Sequence, residues 1–160
     1  MELGWNDITI HRDHYDGAKL LRFWSWLVDD SYGVMLSTAM GDLFLERRDR
    51  TIWFLDTTDG KLEEIASDYE GFKRLLGNSE KLNYWFSSDL LGRLLAAGLH
   101  RNPDECFSPS LPLIIGGKRE PANYIPCKLL AHHALLGPLH QKFRDLPPGT
   151  SVSGIDLVWE

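Results

Sequence analysis

The chain has 160 residues, 43% of them hydrophobic and 25% charged, with six tryptophans. That composition offers too much apolar area for disorder and enough length for one self-sufficient core, so a single domain over residues 1–160 is expected. The formal net charge of −6 excludes affinity built on neutralising phosphates, which needs a clustered Lys/Arg surface, and it disfavours an anionic membrane.

The N-terminal "MELGWNDITIHRDHYDG" is polar and acidic, without the basic and apolar regions of a leader. From Asp16 to Val28, Leu20, Leu21, Phe23, Trp24 and Leu27 recur at helical spacing and predict an amphipathic helix. "GVMLSTAM" and "DLFLERR" then read as strands around a tight turn at Gly41-Asp42. "TIWFLDT" follows, and Asp59-Gly60 before "KLEEIA" is a hairpin signal for a primed turn, completing a three- or four-stranded antiparallel meander.

Ser67-Asp68-Tyr69-Glu70 fits a capping box, in which the Ser hydroxyl and the Glu carboxylate each take an amide proton of the first helical turn. Tyr69, Phe72, Leu75 and Leu76 form the apolar face of that helix, and Gly77-Asn78 offers a left-handed stop. Leu82, Trp85 and Phe86 mark a further helical piece. Ser87 or Ser88 can cap a helix through Leu90, Leu91, Leu94 and Leu95, closed by Gly98.

From His100 to Pro126 five prolines and Gly116-Gly117 predict a long irregular connection. A last helix is expected over Lys128–Arg144, kinked or divided at Gly137-Pro138 because Pro removes a donor and clashes one turn back. Pro147-Pro148-Gly149 ends it, and "SVSGIDLVW" reads as a final edge strand. Helix, meander, helices, loop and helix together make an α+β fold.

The candidate chemistry is thin. His132, His133 and His140 lack HExxH or i, i+4 spacing. Residues 133 and 140 lie about 10 Å apart on a helix, too far to share an ion, so neither a metal nor a cofactor is expected. Cys106 and Cys127 form no CxxC pair and read as free cytosolic thiols. A Cys106 or Cys127 nucleophile with His133 has no local mark of activation. Asp42 and Asp56 could flank a cleft as an acid/base pair, although solvated turn carboxylates are the commoner arrangement. Gly116-Gly117-Lys118 lacks the frame of a phosphate loop. Arg47, Arg48 and Arg50 are offset by Glu46 and Asp49, so direct nucleic-acid binding is not expected. The chain is expected not to be an enzyme.

Charge is distributed unevenly. Between positions 56 and 70 stand Asp56, Asp59, Glu63, Glu64, Asp68 and Glu70 against Lys61, a local balance of −5. Turn-making and helix-start roles account for each acid separately. Together they would form a patch that steers a basic partner protein. Trp53, Tyr69 and Trp85 are candidate aromatic anchors beside it.

The blocks "LLRFWSWLV", "STAMGDLFL", "TIWFLDTTDGKLEEIA", "YWFSSDLLGRL", "CFSPSLPLIIGG" and "HHALLGPLHQKFRDLPPGT" resemble, in that order, the C-terminal domain family of type VI secretion immunity proteins. The resemblance covers about residues 20–152. Its most specific parts are Gly41-Asp42-Leu43-Phe44 and Leu146-Pro147-Pro148-Gly149, and Pro138 stands where the family pattern has Gln. It implies an inhibitor that binds a cognate toxin, such as a nuclease effector, in the cytoplasm. A housekeeping scaffold module of the same fold and a small Cys/His hydrolase are the alternatives. The sequence leaves monomer or homodimer open.

Overall fold

The structure, a computed structural model, describes residues 2–147. The expected final strand, and Pro148-Gly149 with it, lie outside the described residues. The fold is a mixed α+β single domain with antiparallel sheets and several helices. Its centre is a five-stranded antiparallel meander in sequence order: β1 (Thr9–Ile10), β2 (Tyr32–Thr38), β3 (Leu43–Arg47), β4 (Ile52–Asp56) and β5 (Lys61–Ala66).

Both faces of the sheet are covered. Leu43, Leu45 and Leu55 enter one core with Trp24, Leu129, Leu136 and Leu139. Phe44, Ile52 and Phe54 enter another with Phe72, Trp85 and Phe86. This is the period-2 alternation of a pleated strand, apolar on each side because helices lie on each side.

The meander has one strand more than the sequence predicts. The N-terminal segment, read as a polar lead-in, forms α1 (Trp5–Ile8) and then β1, which pairs Thr9 with Thr38. The helix expected over residues 16–28 shortens to α2 (Gly17–Arg22), N-capped by Asp16. The chain then turns so that Trp24, fully buried, and Trp26 meet the last helix.

The turn chemistry also differs. β4 and β5 are joined by a four-residue loop, not a two-residue primed turn. Gly60 has φ +66° while Asp59 does not enter the left-handed region. The Asp56 carboxylate accepts the Thr58 and Asp59 amides at 2.9 and 3.1 Å, which lengthens the loop.

Helix α3 (Tyr69–Leu75) is capped by Asp68, which accepts from the Gly71 amide, so Ser67 is not the cap. Gly77 does not take a left-handed conformation, and Asn78 caps α4 (Ser79–Phe86) instead of stopping α3. Ser87, at φ +52°, joins α4 to α5 (Ser88–Ala96) without a side-chain cap bond, and Gly98 closes α5 as expected.

The long connection is not irregular throughout. It contains a second antiparallel hairpin, β6 (Glu105–Pro109) with β7 (Tyr124–Lys128). Prolines obscured both strands, although Pro109 and Pro126 occupy positions that this two-stranded ribbon tolerates. β6 is tied to the main sheet by the Phe107 amide, which donates to the Ala39 carbonyl at 2.9 Å.

α6 (Leu129–Arg144) runs undivided through Pro138. Tertiary contact outweighs the local penalty there: Trp26 Nε1 donates to the Gly137 carbonyl at 3.0 Å, and Gly137 lies so close to the Phe23 carbonyl that a side chain has no room. Among the described residues no helix is long and apolar enough to cross a membrane.

The two turns that face α6 are also fixed by glycine. Gly41 (φ +89°) faces the His132 ring, and Gly60 faces the His140 ring; a Cβ at either would overlap the imidazole. Gly41→Ala is expected to destabilise the domain by about 2 kcal/mol or more. Gly92→Ala, in α5 with open space around it, is expected to stabilise it by about 0.5–1 kcal/mol. Urea denaturation of the two variants measures both signs.

Candidate functional site

The three histidines of α6 are the feature from which the site is built, and all are buried. His132 meets two hydroxyls, Thr57 Oγ1 at Nε2 (2.9 Å) and Ser108 Oγ at Nδ1 (2.7 Å). The Thr57 hydroxyl donates to Asp42 Oδ1 at 2.7 Å, and the Thr57 amide donates to the same oxygen at 2.8 Å. With its proton committed to Asp42, the Thr57 oxygen accepts from His132 Nε2–H, which leaves Nδ1 to accept from Ser108. His140 Nε2–H donates to the Thr57 carbonyl at 2.9 Å. One residue in the β4–β5 loop thereby joins the β2–β3 turn to α6, and His132 carries the chain of bonds on to Ser108 in β6.

His133 points elsewhere. Its Nδ1 accepts from Trp24 Nε1 at 2.8 Å, and its Nε2 has no hydrogen-bond partner among the described residues. Burial drives all three imidazoles toward the neutral form, with His132 lowered to about 3.

Burial also raises the Asp42 carboxyl, to about 8, with the neighbouring Asp56 acting in the same direction against the Thr57 bonds. Asp56 is raised by burial as well. Asp42, expected as a solvated turn acid, is instead 5% exposed.

Above this network the loop bounds two adjoining clefts. The first, about 470 Å³, has Asp42, Asp56, Asp59, Tyr84, Asp89 and Arg119 in its walls. The second, about 710 Å³, has an apolar floor of Trp26, Leu27, Leu62 and Phe143 and a charged rim that includes Asp59, Glu63, Lys61 and Arg144. Phe54, Asp56, Asp59 and Tyr84 belong to both. Arg119 Nη2 donates to Ser87 Oγ at 3.0 Å and is the cation that moderates the Asp42–Asp56 pair.

The acids of positions 56–70 divide. Asp56, Asp59 and Glu63 come together at the clefts. Glu64 pairs across the sheet with Trp53 while Glu63 pairs with Phe54, so strand alternation sends the two glutamates to opposite faces. Asp68 caps α3, and Glu70 pairs with Lys73 at 3.1 Å.

Among the aromatics, Trp85 is core at 2% exposure. Trp53 is half-buried, in edge contact with Tyr32 under the Arg47 guanidinium. Tyr69 is exposed beneath Lys73. Tyr84, 60% exposed and lining both clefts, went unmarked in the sequence. The helical spacing held the signal, because with Leu82, Trp85 and Phe86 facing the core, position 84 must face out.

Among the described residues no hydrogen bond joins either cysteine to a histidine. Cys106 and Cys127 are cross-strand neighbours and free, and burial raises both thiols, the reverse of activation. Among the described residues no group of three or more His, Cys, Asp or Glu side chains is disposed to hold a metal ion.

The shifted groups predict a stability profile. Between about pH 4 and 8 the folded Asp42 keeps a proton that the unfolded chain loses, so rising pH removes stability. Between about pH 3 and 6.5 the unfolded chain protonates a histidine that stays neutral as folded His132, so rising pH adds stability. His133 and His140, both lowered, act in the same sense. Thermal unfolding against pH is expected to peak near pH 6–7 and decline toward 8. Asp42→Asn, which keeps an acceptor for Thr57, should flatten the alkaline decline.

No curated protein matches the chain. Among solved structures, that of Atu4351 from Agrobacterium tumefaciens is similar, with a TM-score of 0.56 and 11% identity over 83% of this chain and 67% of that one. A likeness at that identity speaks for the fold alone. Residues 66–140 match the model of the family described as T6SS immunity protein Tdi1, C-terminal. That span runs from the end of β5 through α3–α5 and the second hairpin into α6, and takes in Thr57's partners His132 and His140 together with Ser108, the other partner of His132. The immunity-protein family that the sequence resembles is thus the family whose model the chain matches, over residues 66–140.

Proposed function

We propose that this chain is a non-enzymatic immunity protein that works in the cytoplasm by binding a cognate toxin effector, in the first instance a nuclease. The family match over residues 66–140 carries the reading. The acidic clefts at the β4–β5 loop support it physically. A nuclease must present basic residues to phosphate, and an exposed rim of Asp59, Glu63 and Asp89 around Tyr84 offers those residues an alternative partner. Tyr84 supplies the aromatic surface on which an arginine stacks.

One observation favours a second reading. Asp42 and Asp56 line one cleft with raised proton affinities, as acid/base pairs do. Burial beneath the β4–β5 loop raises Asp42, with the Thr57 bonds opposing the shift, as it would any enclosed structural carboxyl, so hydrolysis ranks below binding. Loss of turnover on a small substrate in Asp42→Asn, with the fold intact, would reverse that order.

Co-expression with the toxin encoded beside its gene is expected to restore growth. Asp59→Lys with Glu63→Lys should slow association by about tenfold at low salt, with the effect fading near 0.5 M as charges are screened. Surface plasmon resonance over a salt series reads this. Unchanged association rates at low salt would remove the clefts from the binding surface.

A further inference from the structure

We propose that the outer edge of β5 accepts an extended segment of the partner protein, one whose side chains alternate between apolar and basic. The inference rests on the reading of the chain as a toxin-binding protein and names how the partner is held.

The two edges of the main sheet differ in kind. The β1 edge is two residues long, both buried, and Arg101 Nη2 donates to its Thr9 carbonyl at 2.8 Å. The β5 edge is six residues long and pairs only with β4. Among the described residues, the outward backbone groups of Lys61–Ala66 have no hydrogen-bond partner, from backbone or side chain. An edge of that length left open is a template for another strand, and proteins normally blunt it.

What flanks this edge specifies the occupant. The larger cleft crosses the start of β5, with Lys61, Leu62 and Glu63 in its wall. On the face that Leu62 shares stand Trp26, Leu27 and Phe143. On the face of Glu63 stand Asp56, Asp59 and Tyr84, beside Phe54. A strand added along β5 sends successive side chains to opposite faces. One set would meet an apolar floor and the other an acidic wall. Main-chain bonds would supply affinity and the alternating pockets specificity.

A second copy of this chain is a poor occupant. Antiparallel pairing of β5 with itself opposes only residues of one face, so pairing about Glu63 sets that glutamate against its own copy and pairing about Glu64 does the same there. Like charges directly opposed destabilise a ladder. Glu63, on the acidic face, repels a copy and attracts the basic side chains of the strand.

The test uses the whole chain and a ten-residue synthetic peptide alternating Lys with Val or Thr, followed by calorimetry and amide hydrogen exchange at low salt. Exchange of β5 amides is expected to slow on saturation while β1 amides stay unchanged. A peptide of the same composition with its lysines in one block should bind at least tenfold more weakly, as should one with Glu in place of Lys. The Glu63→Lys/Glu64→Lys variant, both sites being exposed, should lose at least tenfold with thermal unfolding unaltered. Equal affinity for the alternating and block peptides, protection away from β5, or no binding would overturn the proposal. Growth rescue is read separately: a chain that neutralises the toxin yet shows no β5 protection keeps the proposed function and refutes the strand site.

Discussion

The structure turns on Thr57. Its amide and hydroxyl serve Asp42, its oxygen takes His132, and its carbonyl takes His140. Ser108 completes the far end of the chain of bonds. Apolar contact holds the layers together, but it is non-directional and would tolerate α6 at several heights. A polar network inside an apolar interior does not, since each unmade bond costs about 1–3 kcal/mol. Gly41 and Gly60 set the distance, because each lies directly against an imidazole. The network therefore fixes the β2–β3 turn, the β4–β5 loop, β6 and α6 relative to one another.

That constraint shapes the surface above it. The loop from Asp56 to Gly60 is bonded from below through Thr57 and braced internally by the Asp56 carboxylate. Its outward acids stand on a fixed support, and a pre-ordered site loses less entropy on binding than a mobile one. The same arrangement keeps two carboxyls close at the base of the smaller cleft. Burial and mutual repulsion make Asp42 hold its proton to about pH 8, so it serves there as structure more than as charge. The exposed rim of Asp59, Glu63 and Asp89 supplies the negative field instead.

Much of the fold was legible because its signals are local. The alternation in "DLFLERR" and "TIWFLDT" placed β3 and β4, and helical spacing with Gly98 placed α5. What stayed hidden depends on residues far apart. β1 is two residues long and exists because Arg101 and β2 complete it. β6 and β7 carry prolines that read as breakers, yet each strand has a partner and β6 is anchored through Ala39. Pro138 fails to divide α6 because Trp26 and Phe23 clamp the helix at Gly137. The candidate site follows the same rule. The acid run showed where charge accumulates, and Asp56, Asp59 and Glu63 do converge, but strand alternation sends Glu64 away and capping occupies Asp68. Thr57 carried no mark in the sequence, since its partners lie 15, 75 and 83 positions distant.

A single buried threonine couples the main sheet to the last helix, and through His132 to the second hairpin. Thr57→Val removes the hydroxyl with little change of shape, leaving Asp42 short of a donor and His132 Nε2–H without an acceptor. Chemical denaturation of this variant is predicted to show a loss of about 2 kcal/mol: His132 Nε2–H is left unsatisfied at about 1–3 kcal/mol, while Asp42 keeps the backbone amide of residue 57. A loss within 0.5 kcal/mol of zero, the range of an ordinary surface substitution, would contradict the account.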